Sequence, residues 1–244
     1  MRTGRCIVSG AAVRRRRGVV LALAWLFPQV AGAASDVATD GSVGPAQVIV
    51  EDRPGRYRVE ESLGRKQGRN LYHSFDRLNV GAGDRLVFRG SGNTDNVISR
   101  VTGGDASRID GLLRSRIAGA DFWLLNPNGV VFGAGARLDV DGQFNVGTGD
   151  HVTFDDGAIF PANLATPFTF TAAPPVDFGF LADSQGTVSL RRADLSNPDG
   201  FFFDAESIEL RNGASLDVSD DTGSNVGTIR LESDSLLVRD SRLS

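Results

Sequence analysis

Thr187-Val188-Ser189-Leu190, Ser207-Ile208-Glu209-Leu210 and Thr228-Ile229-Arg230-Leu231 carry the pattern that decides the fold. Each places two apolar side chains two positions apart, so that both point to one side of an extended chain. The pairs recur at intervals of 20 and 21 residues, and Leu195, Leu216 and Leu236 follow them by five or six. Gly135-Ala136-Arg137-Leu138-Asp139-Val140 returns as Gly213-Ala214-Ser215-Leu216-Asp217-Val218. A strand doublet at this interval is what one coil of a parallel β-helix requires, because each coil buries its inward residues on the next. The alternative is a β-sandwich with strands at ordinary spacing.

Upstream the same texture continues. Leu86-Val87-Phe88 and Leu138-Asp139-Val140 are short alternating runs bounded by glycine, asparagine and aspartate, and helical periodicity is almost absent. With 30 glycines among 244 residues, the chain reads as all-β. Arg108 to Arg116 fits either one helical turn or a polar-edged strand. Phe122–Leu125 and Val130–Phe132 read as apolar strands flanking Asn126-Pro127-Asn128-Gly129. In that turn Pro127 presets φ, and Asn128 or Gly129 is expected to take positive φ.

The first residues read as an export signal. Arg14-Arg15-Arg16-Arg17 precedes an apolar run from Val19 to Phe27, and Ala31-Gly32-Ala33 supplies the small residues a signal peptidase needs. The run is about half of the roughly 20 residues that span a bilayer, so cleavage after Ala33 or Ala34 is expected. Residues 1–33 are thus assigned to the signal, and 34–46, small and polar, to a disordered N-terminus, with order beginning near Gln47. Cys6, the only cysteine, falls inside the signal, so the mature chain has no disulfide. Removing 1–33 leaves 20 basic against 30 acidic residues, a formal charge of −10. Such a chain lacks the basic stripe that nucleic acid demands, and no nucleic acid partner is expected.

The candidate chemistry is thin. His73 and His151 are the only histidines and have no sequence-local partner, so a structural role is expected for His73, and no metal or cofactor is expected. Asp139/Asp141, Asp155/Asp156 and Asp217/Asp220/Asp221 are acidic groups in Gly-flanked turns, where aspartate bonds its own backbone. Asp217-x-Ser219-x-Asp221-x-Gly223 alternates oxygen ligands but lacks the distal glutamate of a calcium loop. Gly81-Ala82-Gly83 and Gly103-Gly104 lack the following helix and Gly-Lys-Ser/Thr ending of a phosphate loop.

One set of ordered blocks goes further: Asn70-Leu71-Tyr72-His73-Ser74-Phe75, Leu78-Asn79-Val80, Asn96 to Gly104, Ile109-Asp110-Gly111, Leu124 to Gly133, Leu138-Asp139-Val140, Gln143-Phe144 and Pro174 to Phe180. From about Asn70 to Ser189 the chain resembles the secretion domain of filamentous haemagglutinin and related exoproteins of two-partner secretion. The Asn-Pro-Asn-Leu motif of the founding haemagglutinins has no counterpart; Asn93-Thr94-Asp95-Asn96 occupies its region without the proline. The resemblance implies a right-handed parallel β-helix with an N-terminal cap, assigned to about 47–70, and extra-helical strands. It implies a secretion domain at 47–185 and further rungs at 186–244, where the rung opened by Leu236-Leu237-Val238 is unfinished at Ser244 and suggests the start of a truncated passenger. It implies a non-enzymatic module, carried across the inner membrane by the Sec machinery and signal peptidase into the periplasm of a Gram-negative cell. There a cognate outer-membrane β-barrel transporter with periplasmic repeats recognises it, and folding is nucleated outside. The product is secreted or held at the cell surface, with any host or cell-surface ligand bound through a downstream passenger. The matched motif residues are Asn96, Arg100, Thr102, Gly103, Gly104, Asn126, Pro127, Asn128 and Gly129. The rivals are a secreted β-helical polysaccharide-active enzyme, for which grouped carboxylates would serve, and an adhesin that binds glycan directly.

Overall fold

The computed structural model describes residues 33–181, 185–220, 222 and 227–244. The export signal expected at 1–33 lies outside them except for Ala33. Among the described residues the chain is nearly all β, with one 3-10 turn at Glu61–Leu63 and no helix long and apolar enough to cross a membrane. The stretch from Arg108 to Arg116 contributes to two strands, Ser107–Ile109 and Leu112–Ser115, and forms no helical turn.

The strands wind into a three-faced parallel solenoid of about seven turns. The chain enters through β1 (Asp36–Thr39), β2 (Gln47–Val48) and β3 (Glu51–Arg53). Coil 1 is β4 (Arg56–Val59) on face 1, a short β5 (Arg65–Gln67), and β6 (Asn70–Asn79) on face 2, with Val80 bridging to face 3. Coil 2 is β7 (Arg85–Phe88), β8 (Asn96–Val101) and β9 (Ser107–Ile109); coil 3 is β10 (Leu112–Ser115), β11 (Asp121–Leu125) and β12 (Val130–Phe132). Coil 4 holds β13 (Arg137–Asp139) and β14 (Phe144–Gly147), then leaves the solenoid for β15 (His151–Phe154), β16 (Ile159–Pro161) and β17 (Pro175–Gly179), and closes with β18 (Thr187–Arg191). β19 (Asp194–Ser196), β20 (Phe201–Asp204) and β21 (Ser207–Arg211) make coil 5. β22 (Ser215–Asp217), β23 (Ile229–Glu232) and β24 (Ser235–Arg239) make coil 6, and β25 (Arg242–Leu243) follows on face 1.

Alternation puts one column of side chains inside. On face 2, Leu71, Val97, Phe122, Phe144, Phe201 and Ile229 stand in register through the six coils and line the lumen. The adjacent column, Tyr72, Ile98, Trp123, Asn145, Phe202 and Arg230, points outward. An outward aromatic column would be exposed on a bare solenoid. Here the antiparallel sheet of β15, β16 and β17 lies over it, and Tyr72, Ile98, Trp123 and Phe202 form a second core with Phe154, Phe160 and Phe178. Face 2 is therefore buried on both sides, which explains the unbroken runs Phe122-Trp123-Leu124-Leu125 and Phe201-Phe202-Phe203.

The first coil would otherwise leave a row of unpaired backbone groups. β5 and β1 pair antiparallel with β6, covering Asn70–Tyr72 and Phe75–Asn79 respectively, while β2 pairs with β1 and β3 with β4. The cap thus begins earlier than the expected 47–70, and residues 34–46, expected to lack order, supply its main strand. Val37 and Ala38 are buried, and the polar residues around them are engaged: Ser35 Oγ donates to Asp84 Oδ2 at 2.7 Å, and Arg77 Nε to Asp36 at 2.7 Å.

The repeat also needs one correction. Val188/Leu190 stack on Ile208/Leu210 as expected, but the next members are Leu236/Val238, while Ile229/Leu231 stack on Phe201/Phe203 of face 2. Likewise Leu195 and Leu216 are followed on face 1 by Leu243 and not by Leu236. The corner from face 1 to face 2 spans four residues between Ser196 and Phe201 but eleven between Asp217 and Ile229, so a fixed interval lands one face early.

Candidate functional site

Eight of the nine motif residues gather at the corner between faces 2 and 3 in coils 2 and 3; Asn96 lies apart from them at the opposite end of β8. Asn96 is buried and donates through Nδ2 to Asn70 Oδ1 of the coil below at 2.9 Å, an amide ladder. Asn70 in turn reaches the carbonyl oxygens of Thr171 and Ala173 at 3.1 and 2.6 Å, holding the covering segment to coil 1.

Arg100 is the largest fully buried side chain, with 0% exposure. Outward alternation from face 2 carries it under the covering sheet, where its guanidinium stands over Phe160 and Phe168 with centroid distances of 4.2 and 4.8 Å. Its Nε donates to Ser74 Oγ at 2.8 Å, one terminal nitrogen to Ser42 Oγ at 2.9 Å, and the other to the Pro161 carbonyl. Both serine hydroxyls pass the polarity on to one carboxylate: Ser74 donates to Asp40 Oδ2 at 2.6 Å and Ser42 to Asp40 Oδ1 at 2.7 Å. Thr102 Oγ1 adds a third hydroxyl on Asp40 Oδ2 at 2.7 Å. The closed ring Arg100, Ser74, Asp40, Ser42 ties the N-terminal cap, coils 1 and 2, and the covering sheet together. Burial pulls the guanidinium down to about 10, opposed by Asp40. Burial alone would raise Asp40, but the hydrogen bonds from Ser74, Ser42 and Thr102 hold it below the ordinary carboxylate value.

Beyond Thr102 the chain turns the corner. Thr102 and Gly103 donate backbone N–H groups to the Phe75 and Asp76 carbonyls of coil 1 at 2.8 and 3.1 Å. A Cβ on Gly103 would stand 2.1 Å from the Asp76 carbonyl oxygen, so only glycine fits. Gly104 faces open space, and nothing in the structure requires glycine there.

One coil above, Asn126-Pro127-Asn128-Gly129 makes the same corner. Gly129 N–H donates to the Asn126 carbonyl at 2.9 Å. Gly129 takes the positive φ, +106°, while Asn128 does not, which fits a type I turn with Asn, Pro and Gly in their preferred positions. Asn126, at 0% exposure, clips three coils. Its backbone N–H donates up to Gly147 at 3.0 Å, its Nδ2 down to the Asp105 carbonyl and Ser107 Oγ at 3.1 and 3.0 Å, and its Oδ1 accepts the Asn128 N–H at 3.0 Å. Asn128 is exposed yet reaches the Gly103 carbonyl at 2.8 Å, joining the two motif corners.

Sequence reasoning missed a second copy of this device. Asn197-Pro198-Asp199-Gly200 closes with Gly200 N–H on the Asn197 carbonyl at 3.0 Å, and Gly200 also has φ +106°. Asn197 donates its backbone N–H up to Asp217 at 2.9 Å and its Nδ2 down to Gly142 at 3.0 Å. The spelling Asn-Pro-x-Gly was the signal available.

The remaining candidates lie apart from this corner. His73 points into the lumen beside Phe75 and Phe88; neither ring nitrogen makes a well-aligned hydrogen bond, and burial, opposed by the Leu63 backbone, holds its pKa down to about 4. His151 lies in the covering sheet, its pKa lowered by burial against the pull of Asp150. Asp139 pairs with Arg114 at 2.9 Å, Asp156 accepts the Ala158 N–H at 3.0 Å, and Asp217 accepts the Ser219 N–H at 2.9 Å. Asp221 and Gly223 lie outside the described residues.

Fold and corner together define the class of capped parallel β-solenoid proteins. Within it the comparisons are specific: the family model "TPS secretion domain" matches residues 35–244, and the chain belongs to that family. The matched range takes in 35–46 and 186–244 as well as 47–185. Over 73 residues the chain is 38% identical to the heme/hemopexin-binding protein of Haemophilus influenzae, a match covering 30% of this chain and 7% of that protein's length. It is the secretion domain of a two-partner secretion exoprotein, a class exported through the outer membrane to the cell surface or the medium.

Proposed function

We propose that a cognate outer-membrane β-barrel transporter reads this domain in the periplasm while it is unfolded, and that the motif corner acts in the folding that follows export. The carrying observation is that Arg100 and Asn126, the most chemically distinctive motif residues, are fully buried and hydrogen-bonded inside the folded domain. A partner could contact their side chains only before the coils close. In the extended chain their backbone would offer donors and acceptors at alternating positions, the requirement for strand addition to the transporter's periplasmic repeats. Once outside, each finished coil templates the next and opposes backsliding. In this reading Sec and signal peptidase deliver the chain, no catalysis is involved, and the engagement of Asp139, Asp156 and Asp217 within the fold supports that.

The test has two arms. Release into the medium is compared with and without the partner transporter, and urea-denatured Arg100→Ala and Asn126→Ala chains are assayed for binding to its periplasmic repeats. Release should require the transporter. The unfolded variants should bind like the natural chain but accumulate less protease-resistant protein outside, because Arg100→Ala empties a fully buried position and leaves the Pro161 carbonyl without its donor, at a cost of roughly 3 kcal/mol. Equal release without the transporter would sink the targeting role, and loss of binding by the unfolded variants would sink the folding role.

A further inference from the structure

At the far end of face 2 from the motif corner, three carboxylates converge from two layers of the molecule. Asp204 of β20 and Glu232 of β23 are register partners on neighbouring coils, and Asp177 comes from β17 of the covering sheet. One oxygen from each lies within 4.8 Å of the others. Nothing among the described residues makes a hydrogen bond or ion pair with the Asp204 carboxylate, although the residue is only 9% exposed and is aimed between the other two acids. Asp177 Oδ1 accepts the Phe178 N–H at 3.0 Å, and Glu232 Oε1 is paired with Arg230 at 2.6 Å, which leaves one oxygen of each carboxylate for another ligand. The cleft beside them is lined by Phe180, Ser233 and two more acids, Glu206 and Asp234.

A buried carboxylate facing two others is repulsive and desolvated, and Arg230, paired with Glu232, offsets only one of the three charges, so the cluster is short of positive charge. We propose that this cluster is a calcium site that fastens the covering sheet to coils 5 and 6 of the solenoid. The donor set is all oxygen, with no histidine or thiol, which selects a hard cation over zinc or copper. Three oxygens no more than 4.8 Å apart can be met by one ion lying at most about 2.8 Å from each, so a small inward movement of the side chains brings all three into the roughly 2.3–2.6 Å range of calcium–oxygen contacts. The ligands sit on a strand of one layer and two strands of another, a spread that suits the loose coordination of calcium better than the tight octahedron of magnesium. The exposed position of Glu232 and the few protein ligands fit the weak affinities of extracellular modules, roughly 0.1–1 mM, so the site would fill outside the cell.

Thermal unfolding of the mature chain in EDTA, in calcium chloride and in magnesium chloride tests this, together with calorimetric titration of calcium alone. At calcium about a hundredfold over Kd, Tm should rise by roughly 5–10 °C, with a much smaller rise for magnesium. Asp204→Asn removes the buried charge, so it should fold at least as well as the natural chain in EDTA yet lose the calcium shift. Asp177→Asn should weaken calcium binding about tenfold or more. An unchanged Tm up to 10 mM calcium, or an undiminished calcium shift in Asp204→Asn, would overturn the site. The secretion reading does not depend on either result.

Discussion

At the scale of single residues, this molecule places polar groups where an apolar solenoid would be simpler. His73 is the sharpest case, an imidazole in the lumen between Phe75 and Phe88 with no exposure and a pKa held down to about 4 by burial. Its sign follows directly. The unfolded imidazole takes up a proton below about 6.5 while the folded one stays neutral, so its stability contribution is complete above that pH and is lost as pH falls toward 4. A fall from about 6.5 to about 4 corresponds to roughly 3 kcal/mol by pH 4. Asp204, pushed up to about 7 by burial and by Asp177 and Glu232, titrates in the opposite sense and masks part of this slope in the natural chain. The quantity to measure is therefore the difference in urea stability between the natural chain and His73→Leu, from pH 7.5 to pH 4.5. The natural chain should lose roughly 2–3 kcal/mol relative to the variant across that range; parallel profiles would show that the folded imidazole titrates normally. Such a pH dependence was invisible in the sequence, where His73 was simply a histidine without partners.

The element that recurs is the Asn-Pro-x-Gly corner, and it shows what could and could not be read from the chain. Asn126 to Gly129 was legible as a turn between two strands because Pro and Gly restrict φ locally. Its clasp on the coils above and below was not, since Gly147 and Asp105 are brought to Asn126 only by coil stacking. The repeat was legible for the same local reason and misassigned in its last member for the same non-local one. Every face carries apolar residues two apart, and only the length of the intervening corner says which face comes next. Arg100 is a further case: a charged residue amid Val97, Ile98 and Val101 gives no hint that Asp40, sixty residues earlier, lies at the other end of its hydrogen-bond ring. If the two corners are equivalent structural clips, Asn126→Ala and Asn197→Ala should each cost about 1–3 kcal/mol in urea unfolding, the penalty for removing buried side-chain hydrogen bonds to Ser107 in the one case and to Gly142 and Gly200 in the other. An Asn126→Ala chain of natural stability would instead mean that this residue is kept for contact with a partner.

Taken as a whole molecule, the solenoid is a stack in which each coil rests on its neighbours, but the stack is not uniform. Coils 1 and 2 are held from three directions, by the cap, by the Arg100 and Asp40 ring, and by the covering sheet, whereas coils 5 and 6 are held chiefly by their neighbours and by that sheet. Folding of such an array is expected to begin where the local network is densest and to spread from there. The lumen offers a matched pair of probes. Phe122 of coil 3 and Phe201 of coil 5 stand in one register column, both fully buried, and truncation of either to alanine should cost about 3–5 kcal/mol at equilibrium. The kinetics should separate them. If coils 1 and 2 form the nucleus together with the Phe122 ring, which packs edge-on against Phe88 of coil 2 at 4.8 Å, Phe122→Ala slows refolding by a large share of its equilibrium loss, while Phe201→Ala leaves refolding nearly unchanged and accelerates unfolding. Stopped-flow refolding and unfolding of the mature chain across a urea series gives both limbs. The reverse assignment, with Phe201→Ala slowing refolding more, would move the nucleus to the late coils and remove the physical basis for folding that starts at the N-terminal coils and proceeds along the chain.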